Sequence, residues 1–143
     1  MSLAEARGRA NFTVLVPSVL PGGRLLQSVR LGSFSSAERV SLFYSGGLTI
    51  IEEKVDPNVD AALRAENAIR ENRLSTGLYK PRLQRFAYAE ADGFGYDPWF
   101  YVEGEERFLA LGAISFIRHG AHYVLTGNMS YNELAKIAIS MLQ

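Results

Sequence analysis

The two histidines of the chain, His119 and His122, stand close together near its C-terminal end, and Ser130 follows soon after. Imidazole, hydroxyl and carboxylate groups are what nucleophilic or metal-assisted hydrolysis requires. Two imidazoles alone make too small a ligand set for zinc. Glu103, Glu105 and Glu106 offer carboxylates, but their spacing is equally that of a solvated loop. Glu52 and Glu53 are neighbours, and in a strand they point to opposite faces, which suits them poorly to shared acid–base work. A serine–histidine–acid relay needs its members to converge in space. The sequence has no G-x-S-x-G elbow, no H-E-x-x-H, no Walker A and no dinucleotide fingerprint. It has no cysteine, which excludes thiol nucleophiles, disulfides and thiolate metal sites. The expectation is a chain that is not an enzyme, with no catalytic residue, no cofactor and no metal.

Ser130 has a structural explanation. It precedes a helical pattern and Glu133 lies three residues on, the S-x-x-E arrangement that caps a helix N-terminus. Leu134, Ile137, Ala138, Met141 and Leu142 recur at helical spacing and form an apolar stripe fit to cover a sheet. Ahead of them, 113–118 and 121–126 read as paired strands with His119 in the turn.

The elements upstream follow from turn chemistry and alternation. Residues 1–11 read as a flexible leader or linker, and 12–143 as one α+β domain. "FTVLV" is a strand candidate ended by Pro17, and "RLLQSVRLG" is extended. "RVSLFYSGGLTIIEEKV" reads as a hairpin turned at Ser45-Gly46-Gly47. Asp56-Pro57 starts a helix over about 57–73, with Val59, Ala62, Leu63 and Ile69 as a modest stripe. Phe86 and Tyr88 alternate as in a strand, Asp92-Gly93 and Gly95 suggest turning backbone, and "RFLALGAISFIRHG" reads as one long strand with Gly112 at a bulge or bend. The fold class expected is α+β: a curved, mainly antiparallel sheet of about six to eight strands covered by a C-terminal helix, with a second helix at 57–73.

With 143 residues and 48% of them hydrophobic, the chain is long enough for one substantial core. Fifteen basic residues balance fifteen acidic ones, so nothing argues for nucleic acid, and the absent net charge permits a homodimer. No run approaches the roughly 18 apolar residues of a membrane span. The densest unusual composition is "FGYDPWFY". Large aromatic side chains serve cores and recognition surfaces alike. Phe94, Tyr96 and Trp99 are the candidate ligand contacts, provided that they line a groove.

Three pieces, "FTVLVPSVLPGGRLL", "VSLFYSGGLTIIEE" and "GAISFIRHGAHYVLTGNMSYNELAKIAISML", together resemble the DUF4367 family. Gly127, Met129, Ser130, Glu133, Leu134, Ile137 and Ala138 fit its G-x-[L/M]-S-x-x-E-L-x-x-I-A ending, and Phe116 stands near a position where tryptophan is common. Such domains occur in extracytoplasmic parts of bacterial membrane proteins, including anti-sigma-factor regulators and lipoproteins, and are similar to curved-sheet proteins of the LolA/RseB type. The resemblance implies a noncatalytic extracytoplasmic binding or sensory module. It would recognise a protein segment, a peptide or a lipid-like ligand, and join the membrane only through regions outside this chain. A dimerising or tethering domain and a small hydrolase or metal-dependent enzyme are the alternatives.

Overall fold

The computed structural model describes residues 1–32, 39–74 and 82–143, without the side chains of 68 and 70–74. The hairpin of β2 (Arg39–Tyr44) and β3 (Thr49–Lys54) forms as its pattern requires. Gly46 and Gly47 turn it with φ of 75° and 77°, a region closed to most side chains. Val40 pairs with Glu52 and Leu42 with Ile50, which places Val40, Leu42, Tyr44 and Ile50 on one buried face.

β8 (Gly112–Arg118) and β9 (Ala121–Gly127) form the second hairpin, with His119 in the turn at φ 50°. β9 lies against β3. β1 (Leu26–Leu31), β4 (Gln84–Tyr88) and β5 (Ala91–Tyr96) complete an open antiparallel sheet of seven strands in the order β1-β2-β3-β9-β8-β5-β4. The fold is α+β, as expected. It holds three helices among the described residues: α1 (Leu3–Arg9), α2 (Pro57–Leu74) and α3 (Tyr131–Leu142).

α3 covers the face that carries Leu42, Ile50, Ile114, Phe116 and Leu125. Its Leu134, Ile137 and Ala138 are wholly buried there. Burying each large side chain contributes roughly 1.5–3 kcal/mol before opposing costs. Ser130 Oγ accepts the Glu133 amide at 3.2 Å, so the serine is a cap. Asp97 Oδ1 takes the Tyr131 amide at 2.7 Å, a second cap supplied by the loop after β5. The Tyr131 hydroxyl donates to the Arg85 carbonyl on edge strand β4 at 2.8 Å.

Several expectations are corrected. Residues 3–9 are helical, capped by Ser2, and bury Ala6 in the main core. "FTVLV" joins no sheet; it runs as a strap whose Phe12, Val14, Leu15 and Val16 pack against that core. Asp92, Gly93 and Gly95 lie inside β5, and the turn falls at Ala89 and Glu90, with φ of 46° and 69°. The two glycines serve close approach instead. A Cβ at Gly93 would stand 1.9 Å from the Ser115 carbonyl oxygen, and one at Gly95 would stand 2.7 Å from the Tyr131 ring.

"RFLALGAISFIRHG" breaks at Leu111 into β7 (Glu106–Ala110) and β8. β7 pairs only with β6 (Trp99–Glu103), as a separate two-stranded ribbon. In α2, capped by Asp56 Oδ1 on the Val59 amide at 2.9 Å, Leu63 is half-buried and Asn67 buried. Val59 and Ile69 are exposed. The contact face is thus set by Leu63 and Asn67, one turn apart. Gly77 and Pro81, whose residue types suit the end of a helix, lie outside the described residues.

Two substitutions test how the lid is seated. Gly95→Ala forces a Cβ into the Tyr131 contact and should cost about 1–3 kcal/mol or more in urea unfolding. Ser130→Ala removes one cap and should cost about 1 kcal/mol. A Gly95→Ala protein as stable as wild type would contradict this packing.

Candidate functional site

The ribbon is the most unusual surface of the molecule. Pro98 and Gly112 stand at its root, where Gly112 is buried and a Cβ on it would come within 2.4 Å of the Met129 carbonyl oxygen. The chain can leave the sheet there only because position 112 has no side chain. Beyond the root, β6 and β7 make little contact with the other described elements.

Strand alternation gives the ribbon two apolar faces. Trp99, Tyr101 and Phe108 form a ladder of rings, with centroids 5.3 Å and 5.4 Å apart. Phe100, Val102 and Leu109 occupy the other face, and the Arg107 guanidinium lies 4.0 Å from the Phe100 ring centroid. Phe100 is 57% exposed and Val102 71%. Tyr101, Phe108, Leu109 and Leu111 are exposed as well. Glu103, Glu105 and Glu106 cluster at the tip, far from either histidine in the strand pairing.

The three candidate ligand contacts separate. Trp99 lines a cavity of about 540 Å³ with Arg82, Leu83, Gln84, Asp97 and Pro98, and its indole N–H has no hydrogen-bond partner. Phe94 is buried on the sheet face away from α3, beneath the Arg85 guanidinium at 5.4 Å, and does not line that cavity. Tyr96 is half-buried at the end of β5 and lies outside the lining too. The aromatic segment therefore divides into a sheet part and a ribbon part. Phe100, Tyr101, Val102, Phe108 and Leu109, none of them among the three candidate contacts, are exposed residues of the ribbon. The signal was the continuous apolar run on both parities of "WFYV".

Polar chemistry lies elsewhere. On the sheet face beneath α2, Ser115 Oγ is 2.6 Å from His122 Nε2, and His122 Nδ1 is 3.4 Å from Glu53 Oε1. Three adjacent strands bring these residues together. A cavity of about 140 Å³ beside Ser115 and His122 is also lined by Asn67. Ser115 pairs with Phe94 on one side and Val124 on the other, so the backbone around it belongs to the sheet ladder. His119 instead pairs with Glu90 at 2.5 Å across the turns, and this bond holds the Glu90 carboxyl below the usual range. Among the described residues, no three His, Asp or Glu side chains gather as a metal-ligand set.

Glu52 is the one wholly buried carboxyl among the described residues. Its Oε1 accepts the Leu15 amide of the strap at 2.7 Å, and its Oε2 has no partner. Burial pushes its pKa from 4.5 up to about 8, against the pull of the Leu15 amide and Arg7. Tyr44 and Tyr123 are likewise raised to about 12, first by burial and then by Glu52.

No family model, no curated protein and no solved structure matches the chain. The likeness to DUF4367 domains rests on the residues quoted for it.

Glu52 makes stability depend on pH. The folded carboxyl holds its proton more tightly than the unfolded one, so its contribution is complete below pH 4.5 and is lost as pH rises through about 8. The loss is on the order of 5 kcal/mol at most. Glu52→Gln should flatten the fall in melting temperature between about pH 5 and about pH 9 and be the more stable protein at the alkaline end. Parallel curves for the two proteins would show that no proton is held there.

Proposed function

We propose that the chain is a noncatalytic binding module whose contact surface is the ribbon of β6 and β7, and whose partner is a protein segment. One observation carries this reading: the ribbon exposes apolar side chains on both faces and lies outside the sheet. A two-stranded ribbon on its own is marginal in water. A partner laid along it removes apolar surface at about 25 cal/mol per Å² and can add backbone hydrogen bonds at a strand edge.

The tip favours a protein over a lipid surface. Glu103, Glu105 and Glu106 would have to enter the headgroup region of any membrane that the ribbon penetrated, whereas lysine or arginine on a protein segment would complement them. The likeness to DUF4367 domains supports an extracytoplasmic setting, with this chain as a domain of a membrane protein or lipoprotein. None of the described helices is long and apolar enough to cross a membrane.

Selection of random peptides on the whole protein should return sequences that join aromatic or aliphatic residues to lysine or arginine. Phe100→Ser, Val102→Ser and Leu109→Ser should each weaken their binding about tenfold or more. Binders indifferent to all three changes would refute the ribbon as the surface. A concentration-dependent dimer in light scattering, broken by the same changes, would put a second copy there. Flotation with anionic vesicles would put a lipid there.

Ser115, His122 and Glu53 favour one second reading, a small acyl hydrolase. His122 Nε2 is placed to accept the Ser115 proton as Oγ attacks a carbonyl, and Glu53 is near enough to orient the ring. Asn67 is the side-chain amide nearest to hand for the resulting oxyanion. A fluorophosphonate should then label Ser115, and His122→Ala should abolish the label. A wild-type protein left unlabelled by excess reagent removes this reading.

A further inference from the structure

A second cavity, of about 470 Å³, opens where the strap crosses the end of the sheet between the β3–α2 link and the β8–β9 turn. It is separate from the ribbon. Its walls are apolar: Phe12 and Leu15 come from the strap, Val55 from the link and Tyr123 from β9. The basic residues that line it are Lys54, Arg118 and His119, the last already paired with Glu90. No aspartate or glutamate lines it among the described residues. The Nε of Arg118 is buried and has no hydrogen-bond partner. Of the carboxyls nearby, Glu90 is engaged by His119 at 2.5 Å and Glu52 by the Leu15 amide at 2.7 Å.

An arginine with a buried, unpaired N–H is costly unless an acceptor meets it. A guanidinium and an ammonium among the residues lining a largely apolar cavity define a ligand with one anionic head and a hydrocarbon body. The volume falls in the range of small-molecule sites. The geometry points to a binding site for an amphiphilic monoanion, a carboxylate on a medium-length apolar tail, with Arg118 and Lys54 on the head and Phe12, Leu15, Val55 and Tyr123 around the tail.

The site also has a route to the core. Leu15, which lines it, donates its amide to Glu52, and Thr13 accepts the Tyr123 hydroxyl at 3.5 Å. An occupant therefore touches the strap where it is pinned to the sheet, and binding should raise the melting temperature of the whole domain.

Calorimetry with decanoate, decanol and decylamine, each below its micellar concentration, tests the assignment. Decanoate should bind with one-to-one stoichiometry, and decanol and decylamine about tenfold or more weakly, the scale of a lost charge-assisted hydrogen bond. Arg118→Ala should weaken decanoate by a similar factor, and Lys54→Ala by about threefold or more. Phe100→Ser, in the ribbon, should leave it unchanged. Decyl phosphate separates the head groups: preference for it over decanoate would make a phosphate the natural head and overturn the carboxylate. Absence of decanoate binding, equal binding of decanol, or indifference to Arg118→Ala would each overturn the site, whatever becomes of the ribbon. Circular dichroism of the Arg118→Ala protein identical to wild type excludes loss of fold as the cause.

Discussion

The backbone and Cβ of Phe116 lie against position 93 and the ring of Tyr131 against position 95, where β5 has no side chains, and the seating of α3 depends on that. Gly93 lets Phe86 and Phe116 close to 5.2 Å between ring centroids, and Phe116 stacks in turn on Tyr123 at 5.0 Å. Gly95 lets the Tyr131 ring reach the sheet. With that ring down, its hydroxyl meets Arg85 and its amide meets Asp97. The first turn of the helix is then fixed, and the apolar stripe follows it onto the core. Two missing side chains thus decide the register of helix on sheet (an interior has little room for any other adjustment).

The N-terminal segment is fastened by a different means. Ser140 sits within the apolar stripe of α3, buried, with its hydroxyl given to Ile137 O at 2.7 Å and accepting the Val19 amide at 3.2 Å. Ser18 returns a bond to the Ser140 carbonyl. Together with the Leu15–Glu52 bond, these tie the strap to both the lid and the sheet. Polar anchors in an otherwise apolar layer fix where a segment lies, which burial of hydrocarbon alone does less sharply.

What could be read in the sequence tracks the range of the signal. The S-x-x-E cap, the glycine turn of the β2–β3 hairpin and the β8–β9 pairing are local patterns, and each stands in the structure as its residues suggest. Gly93 and Gly95 misled because a glycine looks the same whether it turns a chain or clears space for a side chain distant in the sequence. α1 was hidden because Ala6 is its sole buried residue, which leaves no stripe to see. The break at Leu111 was hidden because alternation continues across it. Of the candidate site, the aromatic density was legible and its division was not, since Phe94 and Trp99 part company only when the backbone leaves the sheet at Pro98. The meeting of Ser115, His122 and Glu53 depends on strand order, which no spacing in the chain encodes.

The sheet has two margins, and they are unlike. At β4 the Tyr131 hydroxyl occupies the Arg85 carbonyl, and Gln143 reaches the Tyr88 hydroxyl at 3.4 Å. At β1 no such latch is present among the described residues. Intermolecular pairing would then favour β1 as its docking margin. Two molecules joined through it would use up that margin on both, so such growth would stop at a closed pair instead of running on into a fibre.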